Sequence, residues 1–165
     1  MKDKTILLGF LIFTISVIAV GLFILTKSST PAVISASQNA KVEANERTHD
    51  WGRIDYKKGN VTKTFTIKNV GTDPLKLTNV KTSCACTKAQ ITIEGKTSPF
   101  FGMHTTSSWV GEVPKDKEAR IEVIFDPQYH GPQSVGAVTR LITIETNDAS
   151  LPKLEFNLTG VVIND

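Results

Sequence analysis

Residues 5–26, TILLGFLIFTISVIAVGLFILT, form a run of 22 residues without a single charge. As a helix rising about 1.5 Å per residue it reaches roughly 30 Å, the thickness of a bilayer's hydrocarbon core. Its hydroxyl residues, Thr5, Thr14, Ser16 and Thr26, can bond back to their own helix and so need no water. No face of the run is polar, which separates it from an amphipathic helix on a soluble core. The apolar region of a cleavable signal is about 7–15 residues and is followed closely by a small-residue cleavage site. Here the run is longer, and a cut after Ala36 would place bulky Ile34 at the minus-three position. The sequence therefore predicts a retained, single-pass signal-anchor helix. Lys2 and Lys4 precede the run, whereas Lys27 alone follows it closely. The positive-inside rule then keeps residues 1–4 in the cytoplasm and exports the C-terminal part, to the periplasm or beyond.

Residues 27–44 are rich in Ser, Ala and other small residues and hold no sustained period, which predicts a flexible linker. Residues 45–165 have the length of one domain. The formal net charge is only +3 and the basic residues are scattered or interleaved with acids, as in KDKEAR. No electrostatic footprint for nucleic acid results.

The domain alternates with a period of two. In EARIEVIFDP, Ala119, Ile121, Val123 and Phe125 share one face, the mark of a half-buried strand. Val61, Phe65 and Ile67 repeat the pattern, as do Leu75 and Leu77, and Leu154, Phe156, Leu158 and Val162. Val138, Ile142 and Ile144 share a phase that also contains Arg140. Turn-forming stretches, NVGTDP, FDPQYHGPQ and TNDASLP, separate the runs. Strands are predicted near 48–54, 61–69, 75–81, 86–93, 118–126, 137–146 and 153–163. Short strands at this spacing predict an all-β, antiparallel sandwich of about seven strands, with an antiparallel barrel as the alternative. Crossover helices are missing from the pattern, which argues against nucleotide-binding α/β folds.

Four stretches in order, HDWGRI, FTIKNVGTDPLKLTNVKTSCACT, GEVPKDKEARIEVIFDP and ITIETNDASLPKLEFNLTGVV, resemble the bacterial family catalogued as domain of unknown function 1573. The resemblance spans about residues 46–163 and is most specific at Ser83-Cys84-Ala85-Cys86-Thr87. It implies an immunoglobulin-like fold, similar to domains of ciliary and centrosomal proteins, and a place in the cell envelope. Two departures stand out. Ala85 replaces a frequent Gly, and Ala resists the left-handed backbone of a sharply turned Cys-x-Cys. Residues 94–109, EGKTSPFFGMHTTSSW, form an enlarged connection.

Both cysteines lie in this motif. On an extended strand, residues i and i+2 have Cα atoms about 6.6–6.8 Å apart, at the outer edge of disulfide reach. Cys84 and Cys86 are thus a bent disulfide, two small buried thiols, or a soft-metal or redox pair. In the metal reading Met103 and His104 are the added ligands and copper is the ion. His49 and His130 are more distant ligand candidates that read first as surface or turn residues. Asp126, Glu145 and Asp148 read as solvated groups or turn formers. No Gly-x-Ser-x-Gly elbow, His-Glu-x-x-His pair or phosphate loop is present, so no enzyme is expected and no cofactor is required. Phe100, Phe101, Met103 and Trp109 in the enlarged loop are the candidate partner-binding residues, and the competing role is that they cover one end of the core. Trp51 reads as core. The expected function is a membrane-anchored, non-enzymatic binding module for an envelope protein or surface polymer. The alternative is copper handling or thiol redox chemistry at Cys84 and Cys86.

Overall fold

The computed structural model describes the backbone of residues 2–25 and 30–164, and the side chains of residues 6–21 and 30–164. The chain divides into two compact units, residues 1–30 and 31–165.

The first unit contains helix α1 (Lys2–Leu25). The Thr14 hydroxyl donates to the Leu11 carbonyl at 2.9 Å, so this polar group is satisfied within its own helix as expected. Apolar side chains from Ile6 to Val20 stand exposed around it. Among the described residues, no helix is long and apolar enough to cross a membrane. The expected span, 5–26, extends past the described side chains at both ends. Thr26 and Lys27, used above for span and orientation, lie outside the described residues.

The second unit is a mostly β, two-sheet sandwich. Its strands are β1 (Val42–Glu43), β2 (Thr48–Asp55), β3 (Val61–Asn69), β4 (Leu75–Thr82), β5 (Thr87–Ile93), β6 (Lys96–Thr97), β7 (Gly111–Val113), β8 (Glu118–Phe125), β9 (Gly136–Thr146) and β10 (Lys153–Ile163). One sheet has the order β1-β3-β8-β5-β6, the other β2-β10-β9-β4-β7. The expected strands are all present, with three short additions. One pairing departs from the antiparallel expectation: β2 runs parallel to β10, with His49 opposite Leu158. Side-chain alternation within a strand records which face is buried and not which way its neighbour runs, so this pairing left no trace in the pattern.

Alternation places the core. Ala119, Ile121, Val123 and Phe125 are buried from β8, and Phe65 and Ile67 from β3. All but Phe125, which packs with Ile54, Cys86 and Val162, meet Leu75, Leu77, Ile142, Ile144, Leu154, Phe156 and Leu158 of the facing sheet. Phe65 and Phe156 touch across the sheets with ring centroids 4.8 Å apart. Burying each such side chain contributes about 1.5–3 kcal/mol.

The expected linker needs correction. Within residues 31–44, Ala40 is fully buried and β1 pairs with β3. Ser37 bridges to Asp148 of the turn between β9 and β10. Its hydroxyl donates to Asp73 at 2.7 Å. Ala40, Val42 and Ala44 lean on the core at alternate positions, a stripe too short and too small-sided to show as a sustained period beside these polar bonds.

Candidate functional site

Cys84 and Cys86 sit where the chain leaves one sheet for the other, between β4 and β5. The Ser83 backbone N–H donates to the Leu141 carbonyl, and the Leu141 N–H donates to the Ser83 hydroxyl oxygen, both at 2.9 Å. On the far side, the Asp126 N–H donates to the Cys86 carbonyl at 2.9 Å. Between these clamps the Thr87 N–H closes a turn onto the Cys84 carbonyl at 3.1 Å. The Thr82 hydroxyl lies 3.0 Å from the carbonyls of Cys84 and Thr87. The turn brings the two Cα atoms to 5.2 Å and the sulfurs form a disulfide. That separation lies inside the usual disulfide range. A continuous strand would not supply it. Ala85 is absent from the non-glycine residues with positive φ, which among the described residues are Asn79, Glu94 and Asp116. The turn therefore accommodates its Cβ, and the expected conflict at Ala85 does not arise.

The two sulfurs have different surroundings. Cys86 is 3 % exposed and packs with Ile54, Phe125 and Val162. Cys84 is half-buried at the margin of the same cluster. Its Sγ accepts from the Cys86 N–H at 3.3 Å and lies 3.4 Å from Nε2 of His130. His130 belongs to the turn after β8. There the Gln128 N–H donates to the Asp126 carboxylate at 2.8 Å, and the Gln128 side chain donates to the Tyr56 carbonyl at 2.9 Å. The His130 carbonyl accepts the Ser134 hydroxyl. The ligand atoms of Cys84, Cys86 and His130 all lie within 4.8 Å of one another.

His104, the ligand favoured from sequence, does not join that group. It lies exposed beside Met103, which is itself 44 % exposed. His130 reaches the sulfurs through strand pairing. Thr87 pairs with Phe125, so whatever follows Phe125 must emerge beside Cys86.

Arg140 completes the surroundings. It shares the inward phase of Ile142 and Ile144, as the alternation implied, and its guanidinium carbon lies 4.9 Å from the Phe125 ring centroid. Trp51 stacks on Phe125, with centroids 5.6 Å apart. Burial lowers the Arg140 pKa from its ordinary value. Among the described residues its Nε is buried without a hydrogen-bond partner. A cation thus stands in the same apolar end of the sandwich as Cys86.

The enlarged loop divides its four candidates. Phe101 is buried, exchanges both backbone hydrogen bonds with Ala89, and packs on Trp109 at 5.3 Å. Phe100 is 50 % exposed, and Met103 is also outward. Half of the set covers the core and half faces away from it. Of the carboxylates read as solvated or turn-forming, Asp148 is a turn former: its side chain accepts the Ser150 N–H at 2.8 Å and its carbonyl the Leu151 N–H at 3.1 Å, and the carboxylate is buried and ion-paired to Lys41. Glu145 accepts from Asn79 at 2.8 Å.

The family model described as Protein of unknown function (DUF1573) matches residues 42–98, a stretch that includes the Ser-Cys-Ala-Cys-Thr motif and bears out the resemblance. No curated protein matches the chain. Among solved structures, a protein of unknown function from Porphyromonas gingivalis W83 is similar with a TM-score of 0.57 and 19 % identity, over 78 % of this chain and 50 % of that one. This chain thus spans half the length of that protein. The ASH/PapD-like domain 7 of human CEP192 is similar with a TM-score of 0.49 and 14 % identity, over 85 % of this chain and 97 % of that domain. At these identities the likeness to the bacterial protein shows the fold alone.

Proposed function

We propose that this chain is a membrane-anchored envelope protein whose exported sandwich works by binding another envelope protein or a surface polymer. Three observations support the placement. The run 5–26 is uncharged. The described part of α1 turns apolar side chains outward on every side, as a helix does when its surroundings are apolar. The disulfide belongs to oxidising compartments. The observation that carries the binding reading is the loop at 94–110. Phe101 and Trp109 pin it to the core, which leaves Phe100, Met103 and Val110 exposed on a fixed support. Apolar groups held in place lose little freedom when a partner covers them. The test is photo-crosslinking in intact cells from position 100 or 103, with Thr64 on an exposed strand face as control. A discrete adduct from the loop alone is expected. Equal labelling from all three positions would end the binding reading. A body that resists protease added outside the inner membrane would end the placement.

A second reading rests on one contact, His130 Nε2 at 3.4 Å from Cys84 Sγ. It is reversible thiol–disulfide exchange. An external thiolate attacks Cys84, the accessible sulfur; the S–S bond breaks and Cys86 departs as a thiolate and takes a proton. The second thiol of the same dithiol then attacks its own sulfur in the mixed disulfide. Cys84 leaves as a thiolate beside His130, whose imidazole relays the proton it gains. The external dithiol ends as a disulfide. Thiol titration after treatment with a dithiol, with the body still folded, tests this step.

A further inference from the structure

We propose that reduction converts this end of the sandwich into a three-coordinate Cu(I) site formed by Cys84 Sγ, Cys86 Sγ and His130 Nε2. The inference rests on the thiol-exchange reading, because the two sulfurs must first be freed.

The geometry suits a small, soft, low-coordinate ion. With metal–sulfur and metal–nitrogen bonds of about 2.0–2.3 Å, three ligands in a plane stand roughly 3.7 Å from one another. Cys84 Sγ and His130 Nε2 are already 3.4 Å apart, and no two of the three ligand atoms exceed 4.8 Å. Only the sulfur pair must separate on reduction, and they share one short turn whose two ends are fixed to Leu141 and Asp126.

The donor set selects the ion. Two thiolates and an imidazole are soft or borderline ligands, which favour Cu(I) and disfavour Mg²⁺ or Ca²⁺. Zn²⁺ takes four ligands; among the described residues no carboxylate or second imidazole joins the group, so zinc here would need a water as its fourth ligand, whereas the three protein donors alone complete a trigonal Cu(I) site. Asp126, the nearest acid in sequence to His130, spends its carboxylate on the Gln128 N–H. The buried wall at Cys86, Phe125, Val162 and Ile54 closes one side to water.

The charges also balance. A dithiol delivers two electrons and two protons to the disulfide and is itself oxidised to a disulfide. Cu(I) then displaces both thiol protons to solvent and leaves a site of net charge −1, with neutral His130 binding through its Nε2 lone pair and keeping its proton on Nδ1. The Arg140 guanidinium, seated on Phe125 in the same cluster, opposes that charge. This set replaces Met103 and His104 with His130, which follows from where the turn after β8 lies.

The test uses the full chain in detergent, handled without oxygen. The disulfide is reduced with a dithiol, the reductant is removed, and thiols are counted. Cu(I) is then titrated against a chromophoric Cu(I) chelator. Reduced wild type should hold one equivalent and show an ultraviolet thiolate-to-copper band, and the oxidised form should hold none. Loss of a supporting group beyond the ligands costs 10–100-fold in affinity, so H130A, which loses a ligand, should weaken binding by at least about tenfold while both thiols still titrate. M103A/H104A should bind as wild type does. Binding by H130A equal to wild type, or loss of binding in M103A/H104A, overturns the proposal. Two titratable thiols without copper binding overturn it and leave thiol exchange standing. A pair that no dithiol opens in the folded chain overturns both.

Discussion

Two of the polar clusters described in the sandwich unit differ in how completely their groups are satisfied. At one, the Asp148 carboxylate accepts from the Val42 N–H at 3.0 Å, the Ser150 N–H at 2.8 Å, the Ser150 hydroxyl at 2.6 Å and Lys41 Nζ at 3.2 Å. Beside it, Asn147 accepts from the Lys76 N–H and donates to the Pro74 carbonyl. Every one of these bonds fastens one part of the chain to another. At the other cluster, a disulfide with one half-exposed sulfur faces an exposed imidazole, and a buried guanidinium nitrogen has no partner among the described residues. Buried polar groups that are fully paired hold a fold in one arrangement. Groups left short of partners are free to meet something else. The contrast sets a structural Asp148 corner against the cysteine end for which chemistry is proposed.

The largest effect should come from the saturated corner. Asp148→Ala removes the acceptor for two backbone N–H groups, the Ser150 hydroxyl and Lys41 Nζ, which should cost about 3 kcal/mol. Urea unfolding followed by Trp51 and Trp109 fluorescence reads this directly. A cost below that of removing the disulfide would invert the comparison.

Acid should weaken the same corner. Burial works against the Asp148 charge, but hydrogen bonds from Ser150, Val42 and Lys41 outweigh it and lower the pKa to about 2. The folded value lies below the unfolded one. The stabilisation is therefore complete above about pH 4 and disappears as pH falls through about 2, a loss of roughly 2 kcal/mol. Asp148→Asn should flatten that part of the pH–stability curve. An unchanged slope below pH 4 would mean that another group governs acid unfolding.

Gly71 probes how the 31–44 segment is seated. Its N–H donates to Asn69 Oδ1 at 2.9 Å. The neighbouring Val70 and Thr72 N–H groups donate to Lys41 and Asn39, both at 2.9 Å. A Cβ at Gly71 would run into the backbone of Asn39 and Lys41. Gly71→Ala should cost about 2 kcal/mol, within the range of overpacking. It should also expose the 31–44 segment to protease before the rest of the sandwich. Uniform cleavage would show that the segment is not separately docked.

What the sequence disclosed follows from which forces are periodic. Burial on a pleated sheet repeats every second residue, so the core positions of β3, β8 and β10 were legible down to Phe65, Phe125 and Phe156. Arg140 was legible too, because it shares a phase with Ile142 and Ile144. The docking of residues 31–44 was not, since its apolar contacts come only from Ala40, Val42 and Ala44 and its polar bonds run to Asp73 and Asp148, distant in sequence. β7 has three residues, too few for a period to show. His130 ranks behind His104 in the sequence because His104 adjoins Met103 in a loop that also holds Phe100 and Phe101. Only the pairing of Thr87 with Phe125 brings the later histidine to the sulfurs, and pairing between strands leaves no mark on either one.

The smallest effect should come from the disulfide itself. Cross-linking restricts the unfolded chain in proportion to the logarithm of the loop, and a loop this short yields only about 1.5 kcal/mol. The turn has other supports, none of which uses a sulfur atom: the Ser83–Leu141 pair, the Asp126 bond to the Cys86 carbonyl and the Thr87 bond to the Cys84 carbonyl. C84S/C86S should therefore lower stability by about 1.5 kcal/mol or less, roughly half the cost of Asp148→Ala. Reducing the wild type should move the urea midpoint by a similar amount. A bond that contributes this little to folding can open and close while the sandwich stays intact, which both exchange and metal capture require. If reduction instead unfolds the body, Cys84 and Cys86 are a staple, and the division between a structural corner and a chemical end is lost.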